Sequence, residues 1–333
     1  MIASSGSFWQ HARARARWRR SQLYIRTSRT RRACISIAAA VPTIRQTGQM
    51  KRRKSARPLD RFPYSEIGVS YFAEQAYCEK RVELWLQNPT TSGLVSVPAA
   101  LEGLAEAQDQ EDLVTSGKDF HEAVESATTP LSSSEIARAV QSGRSFALAE
   151  SRLTGEYRGV RLRGRPDHVF FDGRDASCVL EYKVTDSNQL QTSHRVQLLL
   201  YGYLLGQQNF NVDNLILVCV LVPRRHDTWL AKLAPSRIRK FLTTIRAEAE
   251  SLIAAQPSRK NWHQMGVEIS RGIHVNLRVF RYDQQRAESE LEFFTAYWLG
   301  GRDAIRTTME SKCALCQYNQ LNLCPVAQVE YSG

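Results

Sequence analysis

From Ser65 to Leu86, apolar residues recur at three- and four-residue intervals, which predicts a helix. A Pro-, Thr-, Ser- and Gly-bearing loop follows over Asn88 to Pro98, and Ser116-Gly-Lys-Asp-Phe-His121-Glu-Ala-Val-Glu opens a second helix. The pattern then changes to strands. Phe146 to Leu153, Tyr157 to Phe171 with a kink near Gly164, and Cys178 to Val184 read as a three-strand meander, with Asp172-Gly173 as the last turn. Asn188 to Gly206 returns to helical spacing. Asn214 to Val222 is a continuous apolar run, the mark of a strand buried on both faces. Pro235 to Ala255 is an amphipathic helix opened by Ser236. Ile273, Val275, Leu277 and Val279 alternate with polar residues as one more strand with a wet face, and Glu288 to Leu299 closes as a helix. Helices and strands interleave along one core with no internal repeat, so an α/β fold with a mixed sheet flanked by helices is expected.

Charge divides the chain. The net charge of the 333 residues is +12, but residues 1–59 hold thirteen Arg and two Lys with no acid. Subtracting that +15 leaves 30 basic against 33 acidic residues, so the body from residue 60 stands near −3. Bulk charge therefore gives no argument for nucleic-acid binding, which must come from local basic patches. Alternating Arg and Ala over His11 to Arg20 leaves no apolar stripe, and residues 1–59 are expected to be an unfolded basic extension. Three readings of it stay open: a dispensable start with true initiation at Met50, a targeting segment, or a basic arm on nucleic acid. Residues 60–333 are expected to form one domain of an intracellular, cytoplasmic protein, or a mitochondrial one if residues 1–49 act as a transit peptide. The apolar stretch Cys34 to Ile44 is too short to span a bilayer, and no membrane partner is expected.

The chemistry-bearing residues form two sets. On a strand, side chains alternate faces, so Glu181 and Lys183 point one way while Leu180 and Tyr182 point into the core. Asp167 follows Gly164-Arg-Pro, where a bend brings its carboxylate toward Glu181. Two carboxylates and a backbone carbonyl, here that of Tyr182, suit a hard divalent ion such as Mg2+. Such an ion activates a water and neutralises a phosphate, with Lys183 holding that water or taking its proton. His194, Gln197 and Tyr201 share one polar stripe of the next helix, where Gln197 and Tyr201 can grip a nucleotide by hydrogen bond and ring stacking. His121 is a candidate neutral-imidazole metal ligand.

The second set is sulfur. Cys178 and Cys219 lie in apolar strands and read as buried hydrophobes. Cys78, Cys313, Cys316 and Cys324 stand in polar contexts, and a Cys-x2-Cys pair suits Zn2+ or an iron–sulfur cluster. Three clustered thiolates, one remote thiolate and a Pro after the last favour the cluster. Joining Cys78 to Cys313 closes a loop of about 235 residues, worth roughly 5 kcal/mol in chain entropy.

On these residues the chain resembles the RecB-like PD-(D/E)XK nucleases that carry an iron–sulfur cluster, the exonuclease V and CRISPR-associated RecB-type exonuclease family. The resemblance runs from about Ile67 to Pro325 and rests on Ala76-Tyr77-Cys78-Glu79, Gly117-Lys-Asp-Phe-His121, Gly164-Arg-Pro-Asp167, Glu181-Tyr-Lys183, Gln197-Leu-Leu-Leu-Tyr201 and Lys312-Cys313-Ala-Leu-Cys316. It departs in spacing, with seven residues between Cys316 and Cys324 where the family usually has five. The resemblance implies a restriction-endonuclease-like core. It also implies His121, Asp167 and Glu181 as Mg2+ or Mn2+ ligands, Lys183 as catalytic lysine, and the four cysteines as [4Fe-4S] ligands. The implied activity is a DNA exonuclease, acting on single strands from an end, in repair or end processing. The rival expectation is a catalytically silent DNA-binding scaffold that keeps the clamp.

Overall fold

The computed structural model describes residues 66–87, 119, 121–185, 187–223, 232–256, 262–270, 273–314, 316–320 and 322–324. The basic extension and the loop at Asn88 to Pro98 lie outside them. Two sheets share one helical layer. A six-stranded sheet has the order β2-β5-β6-β7-β9-β8, built from β2 (Ser145–Ala149), β5 (His168–Asp172), β6 (Asp175–Val184), β7 (Ile216–Val222), β9 (Ile273–Arg281) and β8 (His263–Ser270). Only β6 and β7 run parallel in it. A three-stranded sheet has the order β1-β4-β3, with β1 (Ile67–Gly68), β3 (Leu153–Tyr157) and β4 (Val160–Gly164).

The helices are α1 (Val69–Gln87), α2 (Ser133–Gln141), α3 (Thr192–Gln207), α4 (Pro235–Ala255), α5 (Gln284–Trp298), and the short α6 (Glu310–Ala314) and α7 (Gln317–Gln320); residues 121–127 are helical as well. Strand alternation sorts the core into two layers. Leu180, Tyr182, Val218 and Val220 face α4 through Phe241, Leu242 and Ile245. Val179, Leu217, Cys219 and Leu221 face the opposite layer, with Val196, Leu199 and Leu200 of α3 and Leu291 and Phe294 of α5. Every residue of β7 is buried, as its unbroken apolar run requires. Cys178 and Cys219 are both 0% exposed and pack as hydrophobes.

The expected meander needs correcting. The stretch read as three strands holds five, because Arg158 (φ 48°) and Gly159 (φ 88°) both take left-handed backbone and form a two-residue hairpin turn between β3 and β4. That hairpin leaves the main sheet and joins β1. The Gly164 bend is real and carries the chain from one sheet to the other. Gly164 also lets α3 approach: a Cβ there would come 2.9 Å from Leu204 and 3.0 Å from the Tyr201 ring. β8, the edge partner of β9, was not expected. α4 spans the expected residues, but Ala234 caps it with Pro235 at its first position, and Ser236 does not open it. α1 is interrupted at Cys78, whose backbone is extended (φ −168°, ψ 110°), so two helical pieces meet at that thiol.

Candidate active site and thiol cluster

Asp167 ends the link between the two sheets and is 6% exposed. Its Oδ2 accepts the backbone N–H of Tyr182 at 2.7 Å, which ties the link to β6. Its Oδ1 lies 3.3 Å from His121 Nδ1. Glu150, directly after β2, donates its backbone N–H to the Asp167 carbonyl (3.2 Å) and holds a left-handed φ of 49°. That strained backbone turns the Glu150 carboxylate inward, with Oε1 3.7 Å from His121 Nδ1. His121, Glu150 and Asp167 place one donor atom each within 4.8 Å of one another. Glu150 is absent from the sequence expectation. The acid that interrupts the alternation of Phe146 to Leu153 was the available signal, and the backbone turn that aims it was not readable.

Glu181 projects from β6 into the same cleft, 2% exposed. Its Oε1 accepts Lys183 Nζ at 2.8 Å and Gln197 Nε2 at 2.6 Å. Its Oε2 is buried with no hydrogen-bond partner. The Gln197 amide donates its other N–H to Tyr201 Oη (2.8 Å), and that hydroxyl donates to the Arg165 carbonyl (3.1 Å). The i and i+4 stripe of α3 thus fixes Glu181 and the sheet-to-sheet link at once. Gln197 and Tyr201 do line the cleft, but they are 9% and 3% exposed, and the Gln197 amide nitrogen and the Tyr201 hydroxyl are engaged by the protein. The cleft, about 450 Å3, is walled further by Gly68, Val69, Ser70, Arg152, Arg163 and Arg165.

Electrostatics marks the site. Burial, and then the neighbouring Asp167, raise the Glu181 pKa despite Lys183 beside it. Burial opposes the charge on Lys183, yet Glu181 and Asp167 overcome it and hold its pKa above the ordinary lysine range. Burial likewise opposes charge on His121, but the Asp167 and Glu150 carboxylates prevail and lift it to about 10. A metal here must displace that proton, since only the neutral imidazole ligates. The donor set fits a hard divalent ion: carboxylates crowded together, a buried carboxylate oxygen without a partner, and an imidazole. His194 lies near Lys183, and burial followed by that cation lowers it to about 3, so it is neutral.

The four expected cysteines come together. Cys78, Cys313, Cys316 and Cys324 line one cavity with Tyr77, Arg81 and Lys312. Burial first, then Cys78, Cys316 and Cys324, raises the thiol pKa of Cys313, so the four sulfurs lie within mutual electrostatic reach. The six described cysteines are all free thiols. The seven-residue spacing is accommodated by α7 and a turn at Asn322 (φ 55°), from which the Cys324 N–H returns to the Tyr318 carbonyl at 3.0 Å. Four soft donors with no other ligand type among them fit a thiolate-held metal centre.

A second bracket lies one residue from Cys78. Glu79, 3% exposed, receives both Arg302 Nη1 and Nη2 at 2.5 Å, the Ile305 N–H at 2.8 Å and Gln75 Nε2 at 2.6 Å. Trp298 Nε1 donates to Gln75 Oε1 at 2.8 Å. These bonds fasten α1 to the end of α5 and to the segment leading into the cysteine loop.

Among the described residues, no helix is long and apolar enough to cross a membrane. No curated protein matches the chain. A solved structure described as "Crystal structure of SSO0001" is similar at 12% identity and a TM-score of 0.38, covering 78% of this chain and 86% of that one. The family model described as the PD-(D/E)XK nuclease superfamily matches residues 83–325, which include Asp167, Glu181 and Lys183. With helices on a mixed sheet and a group of His121, Glu150 and Asp167 that could hold a metal ion, the chain belongs to the PD-(D/E)XK nuclease superfamily.

Proposed function

We propose that this protein is a RecB-like deoxyribonuclease that uses Mg2+ or Mn2+ to hydrolyse single-stranded DNA from an end, braced by a [4Fe-4S] cluster. The observation that carries the reading is the Glu181 carboxylate. It is buried, fixed on one oxygen by Lys183 and Gln197, and bare on the other, in the same cleft as Asp167, whose carboxylate groups in turn with His121 and Glu150. A bound divalent ion supplies charge neutralisation at the phosphate and an acidified water. His121, Asp167, Glu181 and Glu150 would hold it, with the Tyr182 carbonyl as the backbone ligand that a hard divalent ion favours beside carboxylates. The Tyr182 amide fixes the Asp167 rotamer. Lys183 is held cationic beside Glu181, which suits orienting the attacking water and stabilising the developing phosphorane charge better than taking up a proton. Gln197 and Tyr201 keep Glu181 in place.

The four thiols would hold the cluster as a structural brace, since none of the described residues lines both their cavity and the cleft. Preference for single strands and for ends, and a place in repair or spacer processing, rest on the family resemblance. The test is cleavage of end-labelled single-stranded, double-stranded and circular single-stranded DNA with Mg2+ or Mn2+, using Glu181→Gln as the control. Ladders from linear single strands, none from circles and none from Glu181→Gln are expected. Equal cutting of circles would remove the exonuclease assignment, and undiminished cutting by Glu181→Gln would remove the site.

A further inference from the structure

Besides Asp167 and Glu181, the cleft is lined by three arginines, Arg152, Arg163 and Arg165. Arg152 precedes β3, and Arg163 stands on the exposed side of β4, paired in register with Thr154. Both guanidiniums donate to the same atom, Glu66 Oε1, at 3.0 and 3.2 Å. Both line the catalytic cleft together with the first residues of α1. Their side chains stay 44% and 47% exposed. Among the described residues, two cations share the single negative charge of Glu66. Arg165, the third, leans toward Glu150 at 3.6 Å. Exposed ion pairs contribute little to stability, so fastening Glu66 is a weak reason for two arginines here. One oxygen receiving two guanidinium donors is how arginines take a non-bridging phosphate oxygen.

We infer that Arg152 and Arg163 clamp a non-scissile phosphate of the bound strand, and that Glu66 is the built-in competitor that the strand displaces. The inference rests on the nuclease reading above and names where the strand's backbone is held. Arg152 and Arg163 are positioning residues: they set the strand's place in the cleft without touching the reacting phosphate. Glu66 keeps the two guanidiniums converged before DNA arrives, so the clamp is preformed.

The test combines binding and turnover. Binding of a fluorescent single-stranded oligonucleotide is measured by anisotropy in the Glu181→Gln background across a salt series, and steady-state cleavage is measured in otherwise native protein. Arg152→Ala and Arg163→Ala should each weaken binding about tenfold and flatten the log–log salt slope by about one. In turnover, KM should rise while kcat changes far less. Glu66→Gln should tighten binding, because it removes the competitor and leaves both cations for DNA. A purely structural Glu66 predicts the opposite, lower thermal stability and no gain in affinity. Arg152→Lys and Arg163→Lys, which keep charge but lose the fork, should retain the salt slope with weakened affinity, and this pair reads the clamp if an alanine variant misfolds. Unchanged KM and salt slope in both alanine variants would overturn the clamp, and Glu66→Gln binding no tighter than its parent would overturn the competitor role. Binding that responds as stated in a protein that never cuts would uphold the clamp and sink the nuclease reading instead.

Discussion

Glu79 and Arg302, 223 residues apart in the chain, form a two-pronged ion pair one residue away from the thiol Cys78. The pair closes nearly the same long loop that a metal centre on the four cysteines would close. A buried fork of this kind leaves a costly orphan when one partner is removed. Arg302→Ala should lower unfolding free energy by about 3 kcal/mol, read by denaturant titration, because Glu79 at 3% exposure keeps the neutral donors Gln75 and Ile305 but loses both guanidinium donors and the positive charge that balances it. Arg302→Lys should recover less than half of that, since one ammonium cannot meet both oxygens. A loss under about 0.5 kcal/mol for Arg302→Ala would show that the pair is only a surface contact.

The thiol site predicts colour. Protein purified without oxygen should be brown, with iron and sulfide in near-equal amounts. Cys78→Ser or Cys313→Ser should bleach it, whereas Cys178→Ser and Cys219→Ser should leave the spectrum unchanged. Cys78→Ser should lower the melting temperature while keeping a single cooperative transition, because Glu79 and Arg302 still join the same two ends. Colourless protein with one equivalent of zinc would replace the cluster by a zinc clamp, and full colour in Cys324→Ser would remove that residue from the ligand set.

At Asp167 the loss of the proposed metal ligand and the loss of a structural bond must be kept apart. Alanine there orphans the buried Tyr182 amide, at a cost of about 1–3 kcal/mol. Asp167→Asn keeps an acceptor for that amide and should abolish cleavage, by at least about 100-fold, with a melting temperature close to the parent's. Wild-type rates in Asp167→Asn would show the site to be misassigned.

Glu150 carries its own outcome. Glu150→Gln should weaken Mn2+ binding about 10–100-fold by calorimetry, while circular dichroism stays unchanged. Metal affinity equal to the parent's would mean that the strained turn serves Arg165 and not the ion.

For Gln197 two roles give different kinetics. If it orients Glu181, Gln197→Leu should cut kcat about 10–100-fold and leave KM for DNA nearly unchanged. If it grips a nucleotide, as its place on α3 first suggests, KM should rise instead. Tyr201→Phe keeps the ring and should match Gln197→Leu in direction with a smaller effect, because Gln197 still reaches Glu181.

Much of this architecture is written locally. The unbroken apolar run of β7 and the amphipathic span of α4 carry their own boundaries. The facing of Glu181 and Lys183 follows from strand alternation alone. What escaped has a physical reason. The Arg158-Gly159 turn depends on two left-handed residues, one of them an arginine, which composition does not advertise. β8 does alternate, with Met265 and Val267 set against Gln264, Gly266 and Glu268, so its period-two signal is present in the sequence, though short and centred on a glycine. Glu150 reaches the metal set only through a strained φ, and Glu66 meets Arg152 and Arg163 only because β1 pairs with β4. The Glu79 and Arg302 pair joins positions with no local pattern at all.

The break in α1 also sets where this protein can be cut. The stretch matched as a family unit begins at residue 83, inside the second piece of α1. A chain trimmed to that boundary would discard Cys78, the Glu79 anchor, and Val69 and Ser70 from the cleft wall. It would also uncover the face of α3 that Phe72 and Val82 help to bury. A piece that keeps the buried Ile67 and its pairing with Leu162 therefore starts no later than Ile67, and libraries or crystallisation trials designed on the matched stretch alone would begin sixteen residues too late.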